Sequence, residues 1–162
     1  MTFPIQNETL AMAKLGLVWR AAHSWSMAAS ATFDFGFVVG ETEMVALSRE
    51  YFTFSTGIRV ELFEASFTGG TPAKTINRHL KFKDKPAPIQ FFAGVTAGAL
   101  GTAITGFEYE STTSNRVGKS GDQEPFIHDA LKSYVLRFTN TGSGTQPFSF
   151  AVDFRLKVPG EF

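Results

Sequence analysis

The chain has 162 residues, none of them cysteine and only two of them tryptophan. Without cysteine it cannot form a disulfide, and it has no thiolate to act as a nucleophile or a zinc ligand. Its 15 basic and 15 acidic residues cancel, so composition does not indicate a surface for nucleic acid or anionic lipid. No apolar run approaches the roughly 18–20 residues of a membrane-spanning helix. We therefore expect neither nucleic acid nor a membrane as a partner.

A secretory signal is also missing from the start of the chain. Residues 1–8, MTFPIQNE, contain no basic region ahead of an apolar stretch. We therefore expect a protein that is made in the cytoplasm and is not secreted. The glycosylation pattern at Asn7-Glu8-Thr9 has no meaning without a signal.

Phenylalanine is the residue type in excess, with 18 copies against 3 tyrosines, alongside 15 glycines. Aromatic residues favour strands, and glycine favours the turns between them. This composition is typical of a β-rich domain whose interior is filled by aromatic rings. The alternative is that several of the rings lie at a subunit interface.

The clearest pattern lies in residues 148–158, where apolar side chains alternate without a break with small or polar ones. A period of two is that of a half-buried β-strand. Burying its apolar side chains contributes on the order of 9–18 kcal/mol as an upper bound, and it requires a second layer to cover them. These side chains are Phe148, Phe150, Val152, Phe154, Leu156 and Val158.

Similar strand signals recur along the chain, separated by glycine-, proline- or asparagine-containing turns. About eight to ten strands at this spacing predict an all-β fold, a two-sheet antiparallel sandwich or jelly roll. A turn at residues 140–144 predicts a hairpin between the last two strands. The other strand signals lie at residues 32–39, 42–47, 51–54, 58–67, 75–82, 89–95, 107–111 and 134–139.

Residues 1–26 do not follow this alternation. Good helix formers follow Asn7, so this stretch predicts an N-terminal arm or a short helix. We therefore predict two parts: an arm or short helix over residues 1–26, and a β-sandwich domain over residues 27–162.

No arrangement of side chains along the sequence matches a known catalytic or metal site. The three histidines, His23, His79 and His128, do not have the spacing of metal ligands. Glu61 and Glu64 are three residues apart on one predicted strand, so they would point to opposite faces and cannot act as paired carboxylates.

Other candidate sites fail in similar ways. A G-x-S-x-G nucleophile motif does not occur. Residues 98–101 lack the basic residue and the helix that follow a phosphate-binding loop. The spacing of Asp122, Glu124 and Asp129 does not match a calcium loop. We therefore predict a protein that is not an enzyme, with no catalytic, cofactor-binding or metal-binding residues.

One charged residue stands out by its position. Arg78 falls on the apolar face of its predicted strand. A buried arginine needs a carboxylate partner. We expect a structural ion pair with Glu64 or Glu110.

Four short segments of strand and turn residues stand out at Val60–Glu64, Thr68–Thr71, Asn77–His79 and Tyr134–Asn140. Together they resemble small structural proteins of tailed bacteriophages, in particular capsid decoration (cement) proteins. In such proteins a strand that ends in an acidic residue leads through a glycine-rich turn into a strand that starts near Asn-Arg. This chain has Ala65 where those proteins usually have glycine after the glutamate.

The resemblance covers about residues 30–158 and implies a non-enzymatic virion protein. It implies a location in the virion, binding to the major capsid protein or other virion proteins, and a homo-oligomer such as a trimer. A cement protein stabilises the head, while a tail, collar or fibre-attachment subunit is the alternative virion role. A carbohydrate-binding sandwich module is a third alternative, and it would need Trp19, Trp25 and Tyr109 as exposed platforms.

Overall fold

A computed structural model describes residues 10–53, 57–104, 109–111 and 126–158 of the chain, and for residues 48–53 and 109–111 it describes the backbone alone. These residues form thirteen strands, one 3-10 helix and a short α-helical segment at residues 10–14, which confirms the all-β prediction. In chain order the elements are β1 (Trp19–Met27), β2 (Thr32–Val38), β3 (Met44–Thr53), β4 (Ile58–Glu64), β5 (Phe67–Thr68), β6 (Thr71–Pro72), β7 (Lys74–Asn77), the 3-10 helix (Leu80–Phe82), β8 (Phe91–Ala93), β9 (Thr96–Ala97), β10 (Tyr109–Ser111), β11 (Phe126–His128), β12 (Ser133–Asn140) and β13 (Gln146–Leu156).

The strands form two large antiparallel sheets that pack face to face. Sheet A has the order β11-β3-β13-β1-β7, and sheet B has the order β10-β4-β12-β2-β8-β6. A small third sheet contains only β5 and β9. The two large sheets form the predicted antiparallel sandwich.

Eight of the strands are connected as a jelly roll. β1 pairs with β13, β2 with β12, β3 with β11 and β4 with β10, as in one long ribbon folded in half. The ribbon is then rolled up, because β13 also pairs with β3 and β12 also pairs with β4. The result is two four-stranded sheets, the arrangement that defines a jelly roll. The other strands, β5 to β9, belong to an insertion between β4 and β10.

The first strand, β1, is a full member of sheet A. It pairs with β13 from Trp19 opposite Phe154 to Met27 opposite Gln146, and its first four residues pair with β7 on the other side. The predicted division at residues 26 and 27 assigns nearly all of this strand to the arm, whereas the structure places it inside the sandwich. Its alternation is hard to recognise in the sequence because alanine occurs on both faces, at Ala21 inward and Ala22 outward, and because a histidine occupies one inward position.

The helical part of the N-terminal prediction is confirmed for residues 10–14, while residues 1–9 lie outside the described residues. The chain that follows this helix is fixed to the sandwich at Gly16. Its carbonyl oxygen accepts hydrogen bonds from Asn77 Nδ2 at 2.9 Å and from Lys85 Nζ at 3.2 Å. Within the described part of the chain, no helix has the length and apolar character needed to cross a membrane.

The predicted strand over residues 75–82 is wrong in its second half. β7 ends at Asn77, and a 3-10 helix follows. The side chain of Asn77 accepts a hydrogen bond from the backbone N–H of His79 at 2.9 Å, and His79 Nδ1 accepts one from the N–H of Lys81 at 3.1 Å. These local side-chain bonds offer the backbone an alternative to the sheet, so the strand stops.

The last two long strands, β12 and β13, do not form the predicted hairpin. β12 lies in sheet B between β2 and β4, while β13 lies in sheet A between β1 and β3. Residues 141–145 therefore arch from one sheet to the other. Both strands direct apolar side chains into the same core, so they face each other across it instead of pairing.

A buried asparagine, Asn140, fixes this arch. Its side chain is fully buried. Its Nδ2 lies 2.8 to 3.1 Å from three carbonyl oxygens, which share its two hydrogens, and its Oδ1 accepts two hydrogen bonds. Every polar atom of the side chain is thus satisfied, as burial requires. The partners are the carbonyl oxygens of Met27, Ala28 and Gly144, the backbone nitrogen of Gly142 and the side-chain amide of Gln146.

Aromatic rings fill the core between the two sheets, which confirms the interpretation of the phenylalanine excess. Phe35 of sheet B meets Phe150 of sheet A edge-on, with ring centres 5.3 Å apart. Such contacts add to the gain from burial itself. The buried phenylalanines of this core are Phe35, Phe37, Phe91, Phe138, Phe148, Phe150 and Phe154.

The insertion between β4 and β10 covers part of the outer face of sheet B. Phe63 and Val135 point outward from this sheet, yet both are buried beneath Phe67 and Leu100 of the insertion. The ring of Phe67 lies directly over Gly36, where a Cβ atom would come within 2.8 Å of it. Glycine at position 36 therefore permits the insertion to sit close to the sheet.

Candidate interaction surface

The two ends of the sandwich differ in character. At one end β1, β3 and β12 begin, while β2, β4, β7, β11 and β13 finish, as the antiparallel registers show. We refer to it as the apolar end, and to the opposite end as the polar end. The described residues beyond the strands at the apolar end are 10–18, 39–43, 78–86, 129–132 and 157–158.

Every exposed large apolar side chain in the described residues lies at the apolar end or on the next-to-last residue of a strand that finishes there. The most exposed are Leu80 at 83%, Leu131 at 75% and Leu15 at 63%. Ile76 and Ile127 are the two that lie on strands one residue short of this end, on β7 and β11. The full set is Leu10, Leu15, Val38, Ile76, Leu80, Ile127, Leu131 and Val158.

At the polar end the described connections are residues 28–31, 57 and 141–145. They consist of alanine, glycine, serine and threonine, with no large apolar side chain in these stretches. Scattered exposed apolar residues are normal on a protein surface, but a one-sided concentration is not. The distribution therefore singles out the apolar end as a candidate contact surface.

Backbone hydrogen bonds hold two loops of the apolar end together. The N–H of Val39 donates to the carbonyl oxygen of Lys132, and the N–H of Leu131 donates to that of Gly40, both at 2.9 Å. Leu131 itself has a φ of 60°. The left-handed region is uncommon for a residue other than glycine, asparagine or aspartate. The exposed leucine thus sits on a strained but well-fixed turn.

Two lysines beside these loops form ion pairs with glutamates. Lys132 bonds to Glu64, and this hydrogen bond raises the pKa of the lysine. Lys157 bonds to Glu43 at 2.6 Å. The apolar side chains are therefore bordered by paired charges, the arrangement of an apolar centre and polar rim that is typical of protein interfaces.

Each of the three histidines has a structural role. His128 is buried, and its ring meets those of Phe37 and Tyr134 edge-on. His23 stacks on Trp25, and burial lowers the pKa of His23. His79 caps the 3-10 helix.

No metal centre emerges from the described residues, since they contain no group of three or more His, Cys, Asp or Glu side chains that could hold an ion. Of the acidic residues considered for calcium, Asp122 and Glu124 lie outside the described residues. Glu61 and Glu64 both belong to β4, and residues three apart on a strand point to opposite faces of the sheet. Glu61 lies opposite Arg137 of β12. They are not a carboxylate pair.

The predicted partners of Arg78 need correction. Arg78 contacts Asp153 of β13 at 3.6 Å, and its side chain is 42% exposed. Asp153 also receives two hydrogen bonds from Arg20, at 2.7 and 3.0 Å. Glu64 is instead bound to Lys132, and the side chain of Glu110 lies outside the described residues. β7 ends at Asn77, so Arg78 lies beyond the strand, and strand alternation does not determine which way its side chain points.

The aromatic platforms expected of a carbohydrate-binding module are not formed as predicted. Trp19 is 5% exposed and belongs to the core. Trp25 is half-buried, with its ring stacked on Phe33 at 4.5 Å and against the edge of Phe138 at 4.9 Å. The side chain of Tyr109 lies outside the described residues.

The residues that sequence reasoning missed are the exposed leucines of the apolar end. Leu80 lies in the predicted strand over residues 75–82, and Leu131 lies outside every predicted strand, so the sequence predicts exposure for neither of them. The sequence does contain one signal of exposure: Leu131 lies between Ala130 and Lys132 and has no other large apolar residue next to it. Alone it could not distinguish an exposed leucine from a buried one.

Comparison with known proteins assigns no family to this chain. No protein-family model matches it, and no curated protein matches it significantly. Among solved structures it is weakly similar to infectious bursal disease virus Gt strain, with 10% identity and a TM-score of 0.23. It is similarly related to the VP2 subviral particle of that virus, with 9% identity and a TM-score of 0.20. Each match covers 86% of this chain, which spans only 40% and 41% of those proteins. Both structures are viral, and neither confirms the resemblance to tailed-phage proteins.

Proposed function

We propose that this protein is a non-enzymatic structural component of a virion, a capsid decoration (cement) protein that binds the major capsid protein. The observation that carries the proposal is the concentration of exposed apolar side chains at one end of the sandwich. Large one-sided apolar patches bordered by polar groups mark sites of protein contact. The jelly roll is compatible with this role, since viral capsid proteins use it, but lectins use it as well.

The apolar end has enough exposed surface for a specific contact. The exposed parts of its eight large apolar side chains together equal about four and a half complete side chains. At roughly 1.5–3 kcal/mol for each buried side chain, covering them would contribute about 7–13 kcal/mol before the costs of association. Those costs are about 4–15 kcal/mol, so the apolar part alone gives modest affinity and polar contacts must add to it.

This arrangement also orients the protein on a shell. The apolar end would face the capsid, and the small residues of the described connections at the opposite end, 28–31, 57 and 141–145, would face solvent. Covering the seams between capsid subunits in this way adds buried area that holds the shell together. A homo-oligomer such as a trimer would suit a three-fold position of the shell.

Co-sedimentation of purified protein with undecorated shells tests the proposal. We expect binding at micromolar concentration, and at least about a tenfold loss of affinity with Leu80→Asp, because a charge would then have to be buried in the contact. Ser143→Asp at the polar end is the matched control and should bind as the original protein does. Failure of the unaltered protein to bind would refute the cement role.

Imaging of the virion separates the cement role from the other virion roles. A cement protein would be found over the whole head, whereas a tail, collar or fibre-attachment subunit would occupy one vertex or the tail. Sedimentation of the free protein would give its oligomeric state. If imaging showed single, separate copies of the protein on the shell, the proposed trimer would be wrong.

A further inference from the structure

We infer that a second copy of this chain pairs with the open edge of β1, so that sheet A continues from one molecule into the other. This inference goes beyond the proposed function, because it concerns the half of β1 that is remote from the apolar end. Its basis is the backbone of residues 23–27. On one side these residues pair with β13, and on the other side no strand of the described ranges pairs with them.

The direction of the backbone groups at this edge follows from a hydrogen bond at the start of β1. The N–H of Arg78, just after β7, donates to the carbonyl oxygen of Val18 at 2.9 Å, so the backbone of Val18 faces β7. Successive residues of a strand direct their backbone groups to opposite sides, so every second residue after Val18 faces the same way. β7 pairs with β1 only as far as Ala22. Beyond that point the N–H and carbonyl groups of Ser24 and Ser26 are directed into the open edge.

This edge lacks the features by which proteins usually prevent strand addition, namely charged side chains, proline and a very short strand. β7 carries Lys74, and β6 has only two residues, one of them Pro72. Residues 23–27 have the sequence HSWSM, without Asp, Glu, Lys, Arg or Pro. Burial also lowers the pKa of His23, which favours its uncharged ring. The composition of this edge therefore favours pairing with another strand.

The positions of the open backbone groups identify a second copy as the partner. In an antiparallel pair with a two-fold axis at Trp25, Ser24 of one copy lies opposite Ser26 of the other. The two residues then exchange both of their backbone hydrogen bonds, and symmetry repeats the exchange, so all four open groups of each copy are satisfied. Moving the axis one residue toward the start of β1 would place Ser26 opposite Ala22, which already pairs with β7. Moving it toward the end would place Ser24 opposite Ala28, which lies beyond the strand.

The side chains and the length of the edge agree with this register. Ser24 and Ser26 are exposed on the outer face of sheet A. β1 already has Ser24 opposite Ser149 of β13, with the two hydroxyl oxygens 2.8 Å apart, so this face already contains a serine beside a serine. Met27 of the second copy would lie opposite His23. β1 ends at that methionine, one residue short of the position that β7 occupies, so the second copy does not displace β7.

The strength of the pair follows from its size. Interfaces below about 1,200 Å² are typical of weak, reversible association, and a pair of five-residue strands belongs to this class. We therefore expect a reversible dimer with a dissociation constant between about 10 µM and 1 mM. In the proposed role, such a pair would suit a two-fold position of the shell in place of the three-fold position of a trimer.

Sedimentation of the free protein over a series of concentrations tests the inference with two matched double variants. Ser24→Lys with Ser26→Lys places lysine opposite lysine twice in the pair, so it should raise the dissociation constant by about tenfold or more. Ser24→Glu with Ser26→Lys places glutamate opposite lysine twice, so it should dimerise at least as well as the unaltered protein. Ser149→Lys adds a charge to the same face, one strand away from the edge, and serves as the control. The melting temperature in dilute solution should change little in all three variants, because the serines lie on the outer face.

Amide hydrogen exchange locates the contact within the chain. The N–H groups of Ser24 and Ser26 should exchange rapidly in dilute solution and slowly at concentrations at which the dimer forms. The N–H of Trp25 faces β13, so it should be protected at both concentrations. Protection of the two serines that does not depend on concentration would contradict the inference.

The other outcomes are equally decisive. A protein that stays monomeric up to about 1 mM would refute the pair, as would a trimer or a self-association that the double-lysine variant leaves unchanged. If the variant with glutamate and lysine dimerised as poorly as the double-lysine variant, the register would be wrong. These measurements use the free protein alone, so they can fail while shell binding succeeds, and they can succeed while shell binding fails.

Discussion

Replacing Asn140 should destabilise the protein more than any surface change, because this side chain joins three connections at the polar end. It bonds to the end of β1, to the turn that follows it, and to the arch between β12 and β13. In Asn140→Ala, the hydrogen-bond contacts with five partner groups are lost at a fully buried position, three of them sharing the two amide hydrogens. Their former partners remain in place without a substitute.

The size of the effect follows from these contacts. A protein hydrogen bond contributes about 0.5–1.5 kcal/mol net, and a buried group left without a partner costs about 1–3 kcal/mol. The contributions do not add fully, since water can enter the space that the side chain leaves. We expect a loss of about 3–5 kcal/mol, which is a large part of the roughly 5–15 kcal/mol that stabilises a typical domain.

Urea denaturation followed by circular dichroism measures this loss. Asn140→Asp is the informative second variant, because aspartate cannot donate hydrogen bonds and directs negative charge at three carbonyl oxygens. It should cost more than Asn140→Ala at pH 7. As a control, Ser24→Ala removes an exposed hydroxyl bonded to Ser149 at 2.8 Å and should cost less than about 0.5 kcal/mol. A loss below about 1 kcal/mol for Asn140→Ala would refute the reasoning.

Three further changes test other contacts by the same denaturation assay. Burial lowers the pKa of His23 below its ordinary 6.5, so the contribution of the neutral ring to stability is complete above that pH and declines as pH falls through the lowered value. His23→Phe should remove this part of the pH dependence of stability. An unchanged pH profile would contradict this expectation. Gly36→Ala should cost about 1–3 kcal/mol by pressing on Phe67, and Phe67→Leu should recover part of the loss; equal losses in both backgrounds would exclude the clash. Asp34→Asn should cost about 1–2 kcal/mol, because Arg137 donates two hydrogen bonds of 2.7 and 2.8 Å to that carboxylate, and no loss would mean that solvent compensates the pair.

Alternation along the chain is sufficient to predict the sandwich and several of its strands. It works for β12 and β13 because their inward positions are large and apolar over many residues. It failed for β1, where alanines and serines weaken the contrast between the faces. It also failed after Asn77, because hydrogen bonds from the side chains of Asn77 and His79 end the strand.

The pairing of strands and the candidate surface were beyond the reach of the sequence for physical reasons. A strand with one apolar face has the same sequence pattern whether the next strand pairs with it or lies across the core. The sequence therefore predicts a hairpin at residues 141–145, where the structure has an arch between the two sheets. Exposure is likewise a tertiary property. Leu80 and Leu131 have the same chemistry as buried leucines, and only the fold shows that nothing in the described chain covers them.

The neighbouring positions of β1 and β13 have a consequence for the synthesis of this protein. Trp19 lies opposite Phe154, so β1 cannot pair with β13 until the ribosome has synthesised the strands that lie between them in the sequence. Closing such a distant pairing is slow, and until then both β1 and β3 present bare edges to other nascent chains. Loss of residues 146–156 would remove the central strand of sheet A, so a product without them should be cleared by proteases and should not persist as a smaller domain.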